Sequence, residues 1–382
     1  MVGQEMTDAI VIGGGLAGCA TAYYLAGDGV AVTLLEQSDL NTLASGSNAG
    51  SLHAQIPHDP FATRGPAWAE TFAPTVGLLA RSIEMWRALP EELGLDLEVS
   101  LKGGLLIAAS DAEMRSIERK AEVERGQGLT IDLLDAPALR TIAPYLSERA
   151  IGGAFCPDEG KANPLATTPA LAAAARARGA TIRTNCRVRA IERDGAGFRV
   201  ETDQGAFRAR RVIDAAGAAA GEVAAMVGVD LAVEGFPIQV TVTEQVGPLV
   251  PHLVYSAGEK LTLKQTRVGS LLIGGGWPAR SGRDGRPTVD PDSLVRNLAV
   301  AIATVPRLAD IRVVRTWAAI VNGTDDWKPI LGEIPKVPGF FVNFFPWMGF
   351  TAGPIAARIV ASQVQGLKPP VDIDLAPFLP AA

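Results

Sequence analysis

The 382-residue sequence contains few of the residues that bind metals or form cross-links, with only three cysteines and three histidines. Cys19, Cys156 and Cys186 are widely separated, so no pair has metal-ligand spacing and no iron–sulfur cysteine set is present. We therefore expect reduced thiols, no metal site and a cytoplasmic location. His58 and His252 have no partner pattern around them and are predicted to be structural.

The sequence also lacks an excess of positive charge and any apolar run long enough to cross a bilayer. The formal net charge is −6, which argues against a nucleic-acid partner. Glu222 interrupts the alanine-rich stretch at 214–232, so we expect no membrane-spanning helix. The first apolar run begins close to residue 1, and we expect no signal peptide. Hydrophobic residues make up 48% of the chain, as in a soluble globular protein with room for two domains.

Residues 9–37 form the most informative segment that the sequence does contain. An apolar run at 9–12 predicts a buried parallel strand, and Gly13, Gly15 and Gly18 follow it with G-x-G-x-x-G spacing. The first glycine permits a tight turn, the second lets the backbone approach a pyrophosphate, and the third lets the helix pack on the strand. Taken alone, the triplet also fits an ordinary strand–loop–helix turn.

The residues after the glycines complete a nucleotide-binding unit. A helix predicted at 19–26 would point its free N–H groups at the phosphates. A second buried strand at 30–35 ends on Glu36, where an acid can bind ribose hydroxyl groups. The whole unit predicts an adenine dinucleotide, and Glu36 disfavours the 2′-phosphate of NADP. A strand, glycines and a helix return near the C-terminus, which favours a flavin dinucleotide over NAD.

Strand and helix patterns divide the chain into two interleaved domains. Parallel-strand patterns occur at the start, at 151–220 and at the end, whereas antiparallel alternation occupies 233–244 and 260–277. The predicted fold class is α/β, with an α+β second domain. It combines a Rossmann-like FAD-binding domain (1–80, 150–230 and 322–382) with a substrate domain around an antiparallel sheet (81–149 and 231–321).

Three further segments carry predictions about local structure. Residues 37–55 are rich in glycine, serine and asparagine and are predicted to be a loop beside the cofactor, although a solvent loop also fits. Residues 151–160 are predicted to be loop-rich. The last helix is predicted at 355–363, after the segment GFTAGP, although core packing alone would also explain it.

Five motifs together resemble the FAD-dependent amine oxidoreductases of the D-amino acid oxidase, glycine oxidase and sarcosine oxidase group. They are the glycine triplet with Glu36, SGSNAGSLHAQ (45–55), EGKANP (159–164), VIDAAGA (212–218) and GFTAGP (349–354). The resemblance covers nearly the whole chain. Within the group, NAGSLHAQ (48–55), LTLKQ (261–265) and the GGGW run (274–277) are most similar to the β subunits of opine oxidases and of hydrogen cyanide synthase.

The resemblance implies FAD as the cofactor and assigns residues to it. The last helix would point its N-terminus at the flavin N1–O2 edge, where reduction places negative charge. The resemblance to β subunits also allows an additional FMN at a subunit interface. The implied FAD-binding residues are Gly13, Gly15, Leu16, Ala17, Gly18, Glu36, Gln37, Ser45, Gly46, Ser47, Asn48, Ala49, Gly50, Ser51, Leu52, Val188, Ala216, Gly217, Gly349, Phe350 and Thr351.

The implied chemistry is hydride transfer from the α-carbon of an amine to flavin N5, followed by hydrolysis of the imine. The substrate would be an N-substituted or secondary amino acid such as an opine. The chain would be the catalytic β subunit of a complex whose α subunit carries electron-transfer centres. Two alternatives stay open: a stand-alone D-amino acid dehydrogenase or glycine, sarcosine or proline oxidase, and a non-enzymatic flavin-binding assembly or modifying protein.

One departure from the group concerns the substrate carboxylate. Simple amino acid oxidases of the group hold it with an arginine, and the corresponding stretches here, 319–323 and 346–349, contain none. Lys264 or Lys328 is the predicted substitute, acting as a point charge. This departure favours an N-substituted substrate over a small free amino acid.

The remaining candidates are residues that would surround the substrate. Trp277 and Trp347 are predicted to form the wall of a larger pocket. His53 and Gln55 are predicted to face the flavin or the substrate, although a structural role fits them equally well. The candidate catalytic residues are therefore His53, Gln55, Lys264, Trp277 and Trp347.

Overall fold

The structure is a computed structural model that describes residues 6–380. Its helices are α1 (Leu16–Gly27), α2 (Ala44–Ser47), α3 (His58–Arg64), α4 (Pro66–Leu93), α5 (Asp111–Gly126), α6 (Ala136–Ile142), α7 (Pro164–Ala177), α8 (Ala220–Ala225), α9 (Pro291–Thr304) and α10 (Gly349–Val364). Within residues 6–380, no helix combines the length and the apolar composition needed to cross a membrane.

The strands are distributed along the whole of the described chain. They are β1 (Thr7–Ile12), β2 (Val32–Leu35), β3 (Ser51–Leu52), β4 (Gly104–Ala108), β5 (Asp132–Asp135), β6 (Gly152–Cys156), β7 (Gly160–Lys161), β8 (Thr181–Arg183), β9 (Val188–Asp194), β10 (Gly197–Thr202), β11 (Gly205–Asp214), β12 (Glu234–Gln245), β13 (Leu253–Ser256), β14 (Thr262–Gln265), β15 (Ser270–Gly274), β16 (Arg280–Ser281), β17 (Pro287–Thr288), β18 (Val313–Gly323), β19 (Ile330–Glu333) and β20 (Phe340–Phe344).

The first sheet has the parallel core expected of a nucleotide-binding fold. Its strand order is β19-β20-β11-β1-β2-β8, and the five strands from β20 to β8 run parallel. β9 and β10 extend β11 as antiparallel strands. Alternate residues of β1 enter separate clusters, Val11 with α1 and α10, and Ile10 with β10 and α8. The sheet is therefore covered on both faces, as parallel sheets usually are.

Two glycines of the triplet are required by close backbone contacts around the turn between β1 and α1. Gly13 has a φ of +113°, and a Cβ atom built on it would lie 2.4 Å from the carbonyl oxygen of Ala215. A Cβ atom on Gly18 would lie 1.9 Å from the carbonyl oxygen of Gly13. Since backbone atoms cannot move away cheaply, only glycine fits at these two positions.

The second sheet is mostly antiparallel, with the strand order β18-β12-β15-β14-β13-β4-β6-β5. The exception is β13, which runs parallel to β4 and places Tyr255 beside Leu106. A small antiparallel pair, β3 with β7, attaches Ser51 to Lys161. These two pairings bring residues from distant parts of the sequence to the loop that follows β3. The residue ranges of the two domains stay a prediction.

Residues 152–156 form strand β6, so the loop-rich structure predicted for 151–160 is wrong at this point. Small residues indicated a loop, but here they permit close pairing of strands. A Cβ atom on Gly153 would lie 2.4 Å from the carbonyl oxygen of Leu106 on β4. The loop predicted at 37–55 likewise contains the short elements α2 and β3.

The last helix begins at Gly349, six residues before its predicted start, and Pro354 lies inside it. Side chains from α4 support the turn that precedes this proline. The carbonyl oxygen of Thr351 accepts hydrogen bonds from Ser82 Oγ at 2.6 Å and from Trp86 Nε1 at 2.8 Å. The sequence pattern failed here because these stabilising contacts come from a distant segment.

We expect Gly153→Ala to destabilise the protein by about 1–3 kcal/mol, because the new methyl group would meet the Leu106 carbonyl oxygen. The matched control is Gly126→Ala in the last turn of α5, where a Cβ atom meets nothing within 4 Å. Urea-unfolding midpoints of the purified proteins measure both effects. Equal midpoints for the two variants would contradict the close pairing of β6 with β4.

Candidate functional site

Two large cavities lie on either side of the loop that carries α2 and β3. The first, called cavity A, has a volume of 710 Å³ and adjoins the carboxyl ends of β1, β2 and β11. The second, called cavity B, has a volume of 1060 Å³ and adjoins β12, β14 and β15. Asn48 lines both cavities, so this loop separates them.

One end of cavity A is formed by the turn between β1 and α1. Gly13, Gly15 and Gly217 line it, so the backbone there has no side-chain bulk. Gly15 at the N-cap of α1 supplies no side-chain hydrogen bond to the helix, and Leu16 N–H donates to Ser45 Oγ at 2.9 Å. Ser45 thus binds one N–H group of the first turn, and this helix N-terminus beside a glycine turn is still suited to bind a diphosphate.

The carboxylate of Glu36 is held in place at the end of β2. Gly14 N–H donates to its Oε2 at 2.6 Å, and Ser38 N–H donates to its Oε1 at 2.7 Å. The side chain is mostly buried but lines cavity A. This fixed acceptor lies next to the glycine turn, where the ribose of a bound dinucleotide is expected.

The other end of cavity A is formed by the start of α10 and by β20. Gly349 and Phe350 line the cavity, and no side chain caps the helix. Asn343 also lines the cavity, and its Oδ1 is buried without a hydrogen-bond partner in the described chain, while its Nδ2 donates to Thr21 Oγ1. Two helix N-termini and an unpaired acceptor on the cavity wall fit a dinucleotide with a polar ring system.

An aromatic wall lies beside the start of α10. Trp347 lines cavity A, and its ring centroid lies 4.7 Å from that of Trp327 in a stacked arrangement and 4.7 Å from that of Phe236. Trp347 and Trp327 have φ values of 57° and 65°, which bulky residues rarely adopt. Tertiary packing must therefore hold this wall. Trp347 Nε1 is buried and has no acceptor among residues 6–380.

Most of the predicted FAD-binding residues line cavity A. The others line only cavity B or neither cavity. Those that line cavity A are Gly13, Gly15, Leu16, Ala17, Glu36, Gln37, Ser45, Ser47, Asn48, Val188, Ala216, Gly217, Gly349 and Phe350. Those that line only cavity B are Gly46 and Ala49. Those that line neither of the two cavities are Gly18, Gly50, Ser51, Leu52 and Thr351.

The imidazole of His53 belongs to a partly buried chain of hydrogen bonds. His53 N–H donates to Thr351 Oγ1 at 2.9 Å, and His53 Nδ1 lies 2.7 Å from the hydroxyl oxygen of Tyr255. That hydroxyl group donates to Glu159 Oε2 at 3.0 Å. Burial and the nearby charge of Lys264 lower the pKa of His53 to about 3. His53 is therefore neutral near pH 7.

Gln55 takes part in the same network and lines neither cavity. Its Nε2 donates to Glu159 Oε2 at 2.9 Å, and its Oε1 accepts from Lys120 Nζ at 3.1 Å. Lys120 also pairs with Glu124 at 2.5 Å, and Glu124 accepts the N–H of Ile56 at 2.7 Å. Gln55 is therefore part of the hydrogen-bond network that holds this loop in place.

Glu159 lies at the centre of this network, and the sequence motifs assign no role to it or to Tyr255. Its side chain is fully buried and accepts hydrogen bonds from the backbone N–H groups of Ala54 and Gln55. Gly104 makes room for it, since a Cβ atom there would lie 1.8 Å from Glu159 Oε2. The motif EGKANP contains Glu159, but nothing local distinguishes it from an exposed loop acid.

Lys264 lies at cavity B, together with Lys161. Its side chain is 1% exposed, and Nζ donates to Ser51 Oγ. Burial, followed by the charge of Lys161, lowers the pKa of Lys264 to about 7. Burial, followed by the charge of Lys102, lowers the pKa of Lys161 to about 8. Cavity B therefore contains two lysines that titrate near neutral pH.

The structure separates the remaining candidates from both cavities. Trp277 Nε1 donates to the carbonyl oxygen of Lys260 at 2.7 Å, and the Arg296 guanidinium lies 5.3 Å from its ring centroid. Lys328 pairs with Asp326 at 3.6 Å on the surface. Of the candidate catalytic residues, only Trp347 lines cavity A.

Comparison with known proteins agrees with this geometry. The sequence profile of the DAO family, described as FAD-dependent oxidoreductases, matches residues 8–363. The chain is 26% identical to the beta subunit of sarcosine oxidase from Arthrobacter sp, over 97% of this chain and 91% of that one. It is 29% identical to the B-subunit of opine oxidase from Rhizobium meliloti, over 97% of this chain and 96% of that one. The structure matches glycine oxidase of Geobacillus kaustophilus with a TM-score of 0.86 and 27% identity, over 98% of both chains.

We expect the stability advantage of Lys264→Met over the wild-type protein to fall as the pH rises from about 7 to about 10. Folded Lys264 loses its proton near pH 7, whereas a lysine in an unfolded chain does so near pH ~10.4. Between these values only the unfolded chain binds the proton, so the wild-type protein gains stability with rising pH and the variant does not.

The urea-unfolding midpoints of both proteins across this pH range measure the effect. The matched control is Lys336→Met, which replaces an exposed lysine. We expect its stability difference from the wild-type protein to stay constant with pH. A constant difference for Lys264→Met as well would show that Lys264 is not buried as described.

Proposed function

The chain belongs to the DAO family of FAD-dependent oxidoreductases, and we propose that it oxidises the C–N bond of an N-substituted or secondary amino acid such as an opine. FAD-dependent oxidation of an amine or amino acid is supported by the family and by the sarcosine, opine and glycine oxidases that the chain is similar to. The class of substrate and the partner are argued below from the residues around the two cavities.

The observation that carries the proposal is the fit of cavity A to FAD. The turn at Gly13 and Gly15 would hold the diphosphate, Glu36 would hold the ribose, and the first turn of α10 at Gly349 would contact the N1–O2 edge. When bound, FAD supplies the hydride acceptor for the carbon next to the amine nitrogen. The N-terminus of α10 stabilises the negative charge that this transfer delivers.

The substrate class is inferred from the charges and the shape at the α10 end of cavity A. Among the described residues, the arginines that line this cavity are Arg187 and Arg189, which lie at the other end beside Val188. A small free amino acid would therefore find no bidentate partner for its carboxylate near α10. An N-substituted amino acid would instead bury its second substituent against Trp347 and Trp327.

We also propose that a partner protein covers the mouth of cavity B. Leu165 and Val268 line this cavity and are 66% and 63% exposed. Large exposed apolar side chains around a cavity are typical of protein–protein interfaces. The sarcosine and opine oxidase relatives are named as single subunits of their enzymes, which supports an assembly. An additional FMN has no support from the comparisons, so the proposal contains FAD alone.

A carboxylate at the N-terminus of α10 should hinder reduction of the flavin while preserving the fold. A Cβ atom at Gly349 meets nothing within 4 Å, and an acid is favourable in the first turn of a helix. In Gly349→Asp, the added charge would oppose the charge that the flavin gains. We expect substrate to reduce the flavin about tenfold more slowly, and the midpoint potential to fall by about 30 mV.

Anaerobic stopped-flow absorbance and potentiometry measure these two quantities. The matched control is Gly349→Asn, which has nearly the same size and no charge, so the difference between the two variants measures the effect of the charge alone. Equal reduction rates for the Asp and Asn variants would contradict the placement of the flavin N1–O2 edge at α10.

A substrate panel tests the substrate class and the cofactor site. The purified chain is loaded with FAD and mixed anaerobically with octopine, nopaline, D-proline, sarcosine and glycine, and loss of flavin absorbance is recorded. We expect the opines to reduce the flavin and glycine to leave it oxidised. Reduction by glycine or sarcosine and not by any opine would overturn the substrate class. Protein that stays colourless after soaking with FAD would overturn the cofactor site.

A further inference from the structure

We propose that Glu159 and Tyr255 are positioning residues that hold His53 in a single tautomer, with Nδ1 protonated and Nε2 free to accept a hydrogen bond from the substrate amine. The assignment of the tautomer stands on the contacts among these three residues. The contact with an amine rests in addition on the proposed function.

The carboxyl group of Glu159 is surrounded by hydrogen-bond donors. Its Oε1 accepts from the N–H groups of Ala54 and Gln55 at 2.7 and 2.8 Å. Its Oε2 accepts from Gln55 Nε2 at 2.9 Å and from the Tyr255 hydroxyl at 3.0 Å. Burial is the largest effect and leaves the pKa of Glu159 above its usual value, although these donors lower it in part. Four donors on two oxygens favour the ionised form, because each bond is stronger to a carboxylate.

Lys120 fixes the orientation of the Gln55 amide. Its Nζ donates to Gln55 Oε1 at 3.1 Å, so Gln55 Nε2 must face Glu159. The reversed amide would place its oxygen against the carboxylate of Glu159 and its NH₂ group against the ammonium of Lys120. Both contacts would be unfavourable, so Gln55 acts as a donor to Glu159.

The direction of the remaining hydrogen bonds follows from the carboxylate. Tyr255 gives its only hydroxyl hydrogen to Glu159, so its oxygen can only accept from His53 Nδ1, 2.7 Å away. His53 Nδ1 therefore carries a hydrogen, and Nε2 of the neutral ring carries a lone pair. The low pKa of His53 keeps a second proton off the ring near neutral pH.

His53 lines neither cavity, and its link to the α10 end of cavity A runs through Thr351. Within residues 6–380, Nε2 makes no hydrogen bond, and His53 N–H is attached to Thr351 in the first turn of α10. Gly349 and Phe350 of the same turn line cavity A. An acceptor here would orient the N–H of a neutral amine without removing its proton, because the imidazolium is disfavoured. A carboxylate that selects one histidine tautomer through Nδ1–H is an established way of directing Nε2.

Nitrogen-15 spectroscopy of the histidine rings reads the tautomer directly in the FAD-loaded protein. The chain has three histidines, so His58→Gln and His252→Gln assign the signals of His53 by elimination. We expect His53 to be neutral with hydrogen on Nδ1 at neutral pH. A signal of the Nε2–H tautomer, or of the imidazolium, would overturn the assignment.

Two variants test whether Glu159 sets the tautomer. In Glu159→Gln, the N–H groups of Ala54 and Gln55 would hold the amide oxygen, so the NH₂ group would face Tyr255. Tyr255 would then donate to His53 Nδ1, and the hydrogen of the ring would move to Nε2. Tyr255→Phe keeps the ring, removes the connecting hydroxyl, and should also abolish the preference for Nδ1–H.

The matched control is Asp158→Asn, which neutralises the adjacent carboxylate. Asp158 is exposed and lies 3.6 Å from Arg87, so this variant should give the wild-type spectrum. An unchanged Nδ1–H signal in both Glu159→Gln and Tyr255→Phe would overturn the proposal. If Glu159→Gln fails to fold, the histidine spectrum of Tyr255→Phe alone decides whether the proposal stands.

Kinetics test the contact with the amine. We expect Glu159→Gln and Tyr255→Phe to slow flavin reduction about threefold to tenfold, the value of one hydrogen bond between neutral groups, with an unchanged dissociation constant for FAD. Asp158→Asn should not slow it. If no amine reduces the wild-type protein, the proposed function fails while the tautomer result stands. If both variants change the tautomer and reduce at the wild-type rate, the amine contact is wrong.

Discussion

The hydrogen bonds of Thr351 hold together the three segments on which the site depends. Its Oγ1 accepts from His53 N–H and donates to the carbonyl oxygen of Ser51 at 3.2 Å, so the loop is attached to α10. Its carbonyl oxygen accepts from Ser82 and Trp86, so the same turn is attached to α4. Because Thr351 is fully buried, water cannot replace any of these partners. Thr351 therefore helps to position both the α10 end of cavity A and the imidazole of His53.

The charged network behind the loop favours a defined geometry more than it favours stability. Lys120 and Glu124 are 1% and 0% exposed, so their pairing must offset a large desolvation cost. Burial leaves the pKa values of Glu124 and Glu159 raised, although the charge of Lys120 opposes this effect at Glu124 and the accepted hydrogen bonds oppose it at both. An apolar cluster of the same size would be about as stable. What the network adds is direction, since these carboxylates bind the backbone N–H groups of residues 54–56 directly after His53.

The sequence predicts the nucleotide-binding end of the site because the chemistry there is local. Gly13 and Glu36 belong to one β-α-β unit, and the spacing that indicates a dinucleotide also builds the turn. The other end depends on contacts between distant segments. Tyr255 reaches Glu159 because the short strand β13 pairs with β4 and because Gly104 leaves space. No alternation marks β13, and a glycine in a strand does not reveal which side chain it accommodates.

The loop between the cavities also separates charges of opposite sign. Glu159 lies on the side of α5, and Lys264 lies at cavity B, with His53 between them. A bound ammonium group near His53 would face both Lys264 and the positive end of α10, and each would disfavour it. A neutral amine meets no such repulsion and carries the lone pair that C–N oxidation requires. Burial and the charge of Lys264, which together keep His53 neutral, therefore also favour the reactive form of the substrate.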